Sequence, residues 1–85
     1  MTDADINTLF RRWLRAAFVY YIGPGEDTGM TDHEWDLASS TLLENRHRVT
    51  VHGWPVLFRD EWNGGSLFWL NRSEYPVWIQ RGMPA

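Results

Sequence analysis

Apolar residues recur through the first 21 residues at intervals of three and four, which is the spacing of one face of an α-helix. The recurring positions form one continuous stripe from Ile6 to Tyr21. Gly23 and Pro24 follow the stripe, and glycine tolerates the backbone conformation that ends a helix while proline cannot continue one. The pattern therefore predicts a first helix over residues 3–21, followed by a polar loop.

A second helix start is indicated at Thr31. Its hydroxyl can accept the amide hydrogen of Glu34 while the Glu34 carboxylate accepts that of Thr31, which is a capping box. Met30 and Trp35 stand at the two positions that form a hydrophobic staple around such a cap. Acidic residues crowd the first turns and basic residues the end, as the helix dipole favours. We therefore expect a second helix over residues 32–46.

The rest of the chain loses the helical period and reads as short apolar runs separated by turn residues. Asn63-Gly64-Gly65 has the chemistry of a hairpin turn, although residues 59–62 also fit a short helical turn. The first three runs fit strands, and the last fits a strand or one helical turn. The runs are residues 49–51, 56–58, 66–70 and 75–79. The expected fold is α+β: a single domain over residues 1–85, with two packed helices followed by a compact aromatic half containing short strands or a hairpin.

The composition excludes several kinds of chemistry. The chain has no cysteine, which removes disulfides, thiolate nucleophiles and zinc–thiolate sites. All eight basic residues are arginine, so Schiff-base, phosphate-loop and adenylated lysines are absent. The histidines show no helical metal-binding pair, and no serine has a nucleophile-elbow setting. We expect no catalytic residue, metal or cofactor, and a protein that works by binding.

The sequence also limits which cellular compartment and which partners we expect. The N-terminus is acidic where a signal peptide is basic, and no apolar run approaches the roughly 20 residues that span a bilayer. A small domain without disulfides fits a reducing compartment, so we expect a cytoplasmic location in a host cell and no membrane contact. The net charge of −3 argues against direct nucleic-acid binding. We expect a monomer.

Acidic residues are concentrated between positions 26 and 36. One explanation of such a stretch is ordinary helix-capping charge on a polar loop. It also forms an anionic face that can contact a basic groove on a partner protein, where it would raise the association rate and set orientation. The residues of this predicted partner-binding face are Glu26, Asp27, Asp32, Glu34 and Asp36.

Arginine and tryptophan suggest two further surfaces. Five arginines come from the first helix and the end of the second, and they form either a solvated face or a DNA-binding patch. These are Arg11, Arg12, Arg15, Arg46 and Arg48. Six tryptophans exceed what so small a core needs, so Trp54, Trp62 or Trp78 is a candidate surface anchor.

An aromatic pair, Tyr20-Tyr21, is followed by a proline-containing loop and then by Thr31-Asp32-His33-Glu34-Trp35-Asp36 at the start of an amphipathic helix. Over residues 14–45 this order of features resembles the N-terminal Ia module of NAD-dependent DNA ligases. In those ligases the aromatic pair and the aspartates hold the nicotinamide mononucleotide half of the cofactor. The resemblance implies a nucleotide-binding site whose residues here are Tyr20, Tyr21, Asp32, Trp35 and Asp36.

The chain departs from the ligase pattern in several ways. Trp35 stands where the ligases have tyrosine, and the loop is one or two residues longer. The C-terminal half lies outside the resemblance. A Lys-x-Asp-Gly motif is impossible without lysine, so the chain cannot be adenylated. Small ligase-related proteins of this kind resemble open reading frames of bacteriophages and prophages.

Three functions are therefore considered. The first is a non-catalytic phage-type inhibitor, similar to anti-CRISPR proteins, which binds a host defence complex such as a CRISPR-Cas effector. Short length, acidity and the absence of cysteine and of catalytic motifs are typical of such inhibitors. The second is a nicotinamide-nucleotide-binding module derived from a ligase Ia domain. The third is a small DNA-binding accessory protein that uses its arginine face.

Overall fold

The computed structural model describes residues 1–23, 25 and 27–80, and over these residues the protein is all-α. Two long helices, α1 (Asp3–Tyr21) and α2 (Asp32–Asn45), are followed by short helical turns. The short elements are the 3₁₀ helices Arg46–Arg48, Trp54–Phe58 and Arg72–Glu74, and a last turn α3 (Val77–Gln80). None of the helices in these described ranges is long and apolar enough to cross a membrane.

The two long helices agree with their sequence signals. α1 has the predicted bounds, and α2 ends one residue early because Arg46 begins a 3₁₀ helix. The predicted capping box of α2 is present: the Thr31 amide donates to Glu34 at 2.9 Å, and the Glu34 amide donates to the Thr31 hydroxyl at 3.1 Å. Thr2 and Asp5 form the same motif at the start of α1, where the sequence reading had not placed one.

The prediction of an α+β fold is wrong, because residues 49–80 contain no strand. The run 49–51 is irregular, and the run 56–58 lies in a 3₁₀ helix that Gly53 precedes with a φ of 110°. The run 66–70 contains a turn, and the last apolar segment ends in the single turn α3. The predicted hairpin around residues 63–65 is therefore absent.

Tryptophan side chains give a physical reason for this error. A sheet needs main-chain carbonyls to accept from neighbouring strands. Here three indole N–H groups occupy such carbonyls: Trp62 donates to Gly65, Trp69 to Ser66, and Trp78 to His52. Two of these hydrogen bonds close local turns and the third joins residues 52 and 78, and each indole also packs on the core.

The core centres on Trp13 of α1, which is fully buried. Its indole stacks on Trp35 of α2, with ring centroids 5.2 Å apart and planes inclined by 15°. Trp62, from the C-terminal half, meets the same ring edge-on at 5.4 Å. One aromatic side chain thus contacts all three parts of the fold, and aromatic pairs of this kind contribute about 0.5–1.5 kcal/mol each beyond area burial.

Three hydrogen bonds close a loop between α1 and α2. The indole N–H of Trp13 donates to the Ser39 hydroxyl at 2.8 Å, and that hydroxyl donates to the Trp35 carbonyl at 2.9 Å. The indole N–H of Trp35 donates back to the Trp13 carbonyl at 3.0 Å. Every polar atom of these side chains is therefore paired, which fixes the register of α2 against α1.

Replacing Ser39 by alanine tests this loop. The substitution leaves the buried Trp13 N–H without an acceptor, so we expect a loss of about 1–3 kcal/mol in the free energy of unfolding, measured by urea denaturation. Ser40→Ala is the matched control, because Ser40 is exposed on the same helix and should change stability by less than about 0.5 kcal/mol. Equal denaturation midpoints for the two variants would contradict the proposed role of Ser39.

Candidate functional site

A cavity of about 300 Å³ lies where the end of α1 meets the start of α2. Side chains of both helices line it, together with residues of the connecting loop and Ser66 from the C-terminal half. The volume is at the lower end of the range, roughly 300–1,000 Å³, found for small-molecule sites. We refer to this cavity as the cleft.

Aromatic side chains form one side of the cleft. Tyr20 and Tyr21 are the last two residues of α1, and both line the cavity. Their rings are perpendicular, with centroids 4.9 Å apart, and remain 67% and 37% exposed respectively. Such exposed rings present aromatic faces and edges that an incoming planar ligand can contact.

Trp35 is the third aromatic residue of the cleft. Its ring is stacked on Trp13, and its N–H is used by the Trp13 carbonyl. An indole has no other hydrogen-bonding group. Trp35 can therefore offer a ligand apolar and π contact but no hydrogen bond, unlike the tyrosine that the ligase resemblance places here.

Two carboxylates form the acidic edge of the cleft. Asp32 and Asp36 are four residues apart on α2, so they lie on the same face of the helix, and both line the cavity. Both are exposed, and neither forms an ion pair with another described residue. The cleft therefore combines aromatic surface with uncompensated negative charge.

Small and hydroxyl-bearing residues complete the lining. Ala16 and Ala17 of α1 are buried beneath the aromatic pair, and their methyl groups leave the space that larger side chains would fill. The hydroxyls of Thr28 and Thr31 already hold the loop and the α2 cap. The Ser66 hydroxyl has no hydrogen bond in the described structure and is exposed at the cleft.

All five residues of the predicted nucleotide site line this one cleft: Tyr20, Tyr21, Asp32, Trp35 and Asp36. The sequence analysis did not predict the two alanines as cleft residues, although small residues one helical turn before the aromatic pair indicate space for a cavity. Thr28, Met30 and Thr31 lie in the loop and cap that lead into α2. Ser66 carried no signal, because its place depends on how residues 49–80 pack on the helices.

The predicted acidic face is only partly available to a partner. Glu26 lies outside the described residues. Asp27 accepts the Gly29 amide at 2.8 Å, and the Glu34 carboxylate is held by the Thr31 amide. The hydrogen bonds from Thr31, with a smaller effect of Arg12, lower the pKa of Glu34 below its ordinary value of 4.5. Asp32 and Asp36 are the members of this face without such a structural role.

The five arginines have different environments and do not act as one group. Arg48 pairs with Asp3 at 2.7 Å and donates to the Met1 carbonyl, so it is tied to the start of α1. Arg46 lies over the ring of Phe58, and Arg12 is exposed on α1. Arg11 and Arg15 are half-buried, which departs from the expected solvated face. In the described structure these five arginines do not form one exposed basic patch, which weakens the support for DNA binding.

Of the three tryptophans that were candidate surface anchors, one is well exposed. Trp62 is buried in the core, and Trp78 is half-buried with its N–H on the His52 carbonyl. Trp54 is 44% exposed. Within the ranges that the structure describes, no three acidic or histidine side chains are grouped so that they could hold a metal ion.

Comparison of the chain with protein-family models, with curated proteins and with solved structures found no match. The resemblance to the ligase Ia module and to anti-CRISPR proteins therefore remains a prediction from the sequence.

Acid titration tests the cap that leads into the cleft. Because the folded-state pKa of Glu34 is lowered, its contribution to stability is present above about pH 4.5 and is lost as the pH falls through the folded pKa. We expect Glu34→Gln to flatten the decline in unfolding free energy between about pH 5 and pH 3, measured by urea denaturation.

The matched control is Glu44→Gln, since Glu44 is exposed at the other end of α2 and makes no cap hydrogen bond. This variant should retain the acid slope of the wild type. A Glu34 pKa at or above 4.5, measured by NMR titration of the side-chain carboxyl, would contradict the role assigned to the cap.

Proposed function

We propose that this protein is a non-catalytic ligand-binding protein whose cleft takes a planar, cationic, nucleotide-type ligand such as nicotinamide mononucleotide. The observation that carries the proposal is the convergence of the aromatic pair, Trp35 and both aspartates on a single cavity. These residues come from the end of α1 and the start of α2, which the short connecting loop and the packing of the two helices place side by side.

The chemistry of the cleft favours a positively charged ring. The nicotinamide ring of the mononucleotide is a pyridinium cation. Aromatic faces attract cations by about 0.5–2 kcal/mol, depending on desolvation. Asp32 and Asp36 add Coulomb attraction, which is larger at a partly enclosed surface than in bulk water. A neutral base gains the ring contacts without this electrostatic component.

The size of the cleft and the composition of the chain limit what happens after binding. A cavity of about 300 Å³ suits one nucleotide better than a dinucleotide. Without lysine there is no residue to accept an adenylyl group as a ligase does. The proposed activity is therefore binding or sequestration. The Ser66 hydroxyl is one polar group available to a ribose or phosphate oxygen.

Titration with nicotinamide mononucleotide, followed in ¹H–¹⁵N NMR spectra, tests the proposal. We expect saturable shifts at Tyr20, Tyr21 and Trp35, and binding that weakens by at least about tenfold in Asp36→Ala, because a carboxylate–cation contact is lost. Glu44→Ala removes an exposed carboxylate from the same helix but outside the cleft, and should bind like the wild type. AMP, with its neutral base, should bind more weakly.

Two results would reject this function. One is the absence of saturable shifts at cleft residues at millimolar nicotinamide mononucleotide. The other is equal affinity for AMP and for nicotinamide mononucleotide, since it would remove the cationic ring from the explanation. If Asp36→Ala bound nicotinamide mononucleotide as tightly as the wild type, only the role assigned to the Asp36 carboxylate would be rejected.

We propose inhibition of a host defence complex, such as a CRISPR-Cas effector, as a second candidate function. The specific support is Leu37, which is 57% exposed on α2 directly after Asp36. An exposed apolar side chain on the helix that carries the unpaired carboxylates can add to a contact with a basic groove, where the charges steer association. Leu37 does not line the cleft, so this contact is separable from nucleotide binding.

Charge introduction at Leu37 distinguishes the two functions. In cleavage assays with purified Cas effector complexes, Leu37→Arg should weaken inhibition at least about tenfold while leaving nucleotide binding unchanged, because the new cation opposes the basic groove. Phe68→Arg is the control, since Phe68 is also highly exposed. Absence of inhibition by the wild type, or full inhibition by Leu37→Arg, would reject this contact.

A further inference from the structure

The six indole N–H groups are not equivalent. Five donate to named acceptors, either the Ser39 hydroxyl or a main-chain carbonyl. The exception is Trp54, whose N–H has no acceptor among the described residues and whose ring is 44% exposed. In a chain that otherwise uses its tryptophans as structural donors, Trp54 is the one that leaves its donor free.

A second exposed ring stands beside Trp54. The Phe58 ring is also 44% exposed and meets the indole at right angles, with centroids 5.6 Å apart. Both residues belong to one 3₁₀ helix, with Val56 and Leu57 buried between them. The helix therefore anchors itself through its central residues and presents both aromatic ends to solvent.

A cation completes this surface. The guanidinium of Arg46 lies 4.9 Å from the centre of the Phe58 ring and donates one hydrogen bond to the Leu57 carbonyl, at 3.3 Å. Arg46 forms no ion pair with a carboxylate in the described structure, whereas Arg48 and Arg59 both do. Four of the five N–H donors of Arg46 remain free of described acceptors.

A groove adjoins the aromatic pair. It has a volume of about 450 Å³ and is lined by Trp54 together with Pro55, Pro76 and Val77. Val77 is 54% exposed, so the groove has an apolar wall in contact with solvent. The groove shares no lining residue with the cleft and is a separate place on the molecule.

We infer that Trp54, Phe58 and Arg46, called here the Trp54 surface, dock a partner-protein segment that carries a carboxylate beside an apolar side chain. The carboxylate pairs with Arg46, a partner oxygen accepts the Trp54 N–H, and the apolar side chain enters the groove. Tryptophan and arginine, with tyrosine, are enriched among the residues that contribute most to binding at protein interfaces.

Charge complementarity selects this occupant over nucleic acid. A polyanion needs several cations to release its counterions, and the Trp54 surface supplies one on a chain of net charge −3. The two rings are also perpendicular, with planes inclined by 87°, which does not suit the stacking of successive bases. A single carboxylate within an apolar contact matches the single guanidinium of the Trp54 surface.

Selection from a library of displayed random peptides tests the inference, with wild-type protein as bait and Trp54→Ala for counter-selection. Enriched peptides should place Asp or Glu next to Leu, Ile or Phe. The synthetic form of an enriched peptide should bind Trp54→Ala roughly 30-fold more weakly than wild type, as for an interface hot spot. Phe68→Ala, which removes another exposed ring, should bind like wild type.

Two further variants separate the parts of the contact. Trp54→Phe keeps an aromatic ring but removes the N–H, so it should bind with an affinity between those of wild type and Trp54→Ala. Arg46→Gln should weaken the enriched peptide but not its Asp→Asn counterpart, a coupling that loss of fold would not produce. Thermal unfolding of each variant establishes that it is folded.

Several outcomes would overturn the inference. These are no enrichment of peptides, enrichment without acidic residues, or equal binding to Trp54→Ala. If oligo-dT bound more tightly than the enriched peptides, and Trp54→Ala abolished that binding, the surface would be assigned to nucleic acid instead. Concentration-dependent self-association that disappears in Trp54→Ala would assign it to a second copy of the chain.

Discussion

The hydrogen-bonded loop of Trp13, Ser39 and Trp35 is the interaction on which the rest of the structure depends. It joins α1 to α2 at the stacked indoles, and the third ring of the cluster, Trp62, ties the C-terminal half to the same point. A buried indole N–H without an acceptor is costly, so the loop permits few other registers between the helices. In this register the last turn of α1 lies beside the first turn of α2, and the cleft is formed there.

The electrical character of the cleft follows from helix capping. The start of a helix carries partial positive charge, which often attracts anions. In α2 that end is occupied by its own acidic residues, among which Glu34 is held in the capping box. Asp32 and Asp36 remain as excess negative charge beside the tyrosines, so the cleft favours a cation. The Trp54 surface has the opposite character, with aromatic rings and an unpaired guanidinium. The cleft and the Trp54 surface thus differ in the sign of their unpaired charge.

The sequence predicted those features that depend on near neighbours. The apolar stripe of α1 and the Thr31–Glu34 cap fixed both helices within one residue. Five of the cleft residues were named because the ligase resemblance implied them, and they lie in the last turn of α1 and the first turns of α2. Short apolar runs in residues 49–80 were misread as strands, because carbonyls within or next to them, those of His52, Gly65 and Ser66, accept from indoles that strand propensity does not register. The approach of Ser66 and the exposure of Trp54, but not of Trp62, likewise depend on packing between distant segments.

In the proposed function, the helix register set by Trp13 and Trp35 builds a site for a cationic planar ring. Intermolecular nuclear Overhauser effects between bound nicotinamide mononucleotide and isotope-labelled protein test it most directly. We expect contacts from the nicotinamide ring protons to the rings of Tyr20, Tyr21 and Trp35, with none to Trp54 or Phe58. Contacts only at the Trp54 surface, or contacts of the ribose alone with the cleft, would contradict it.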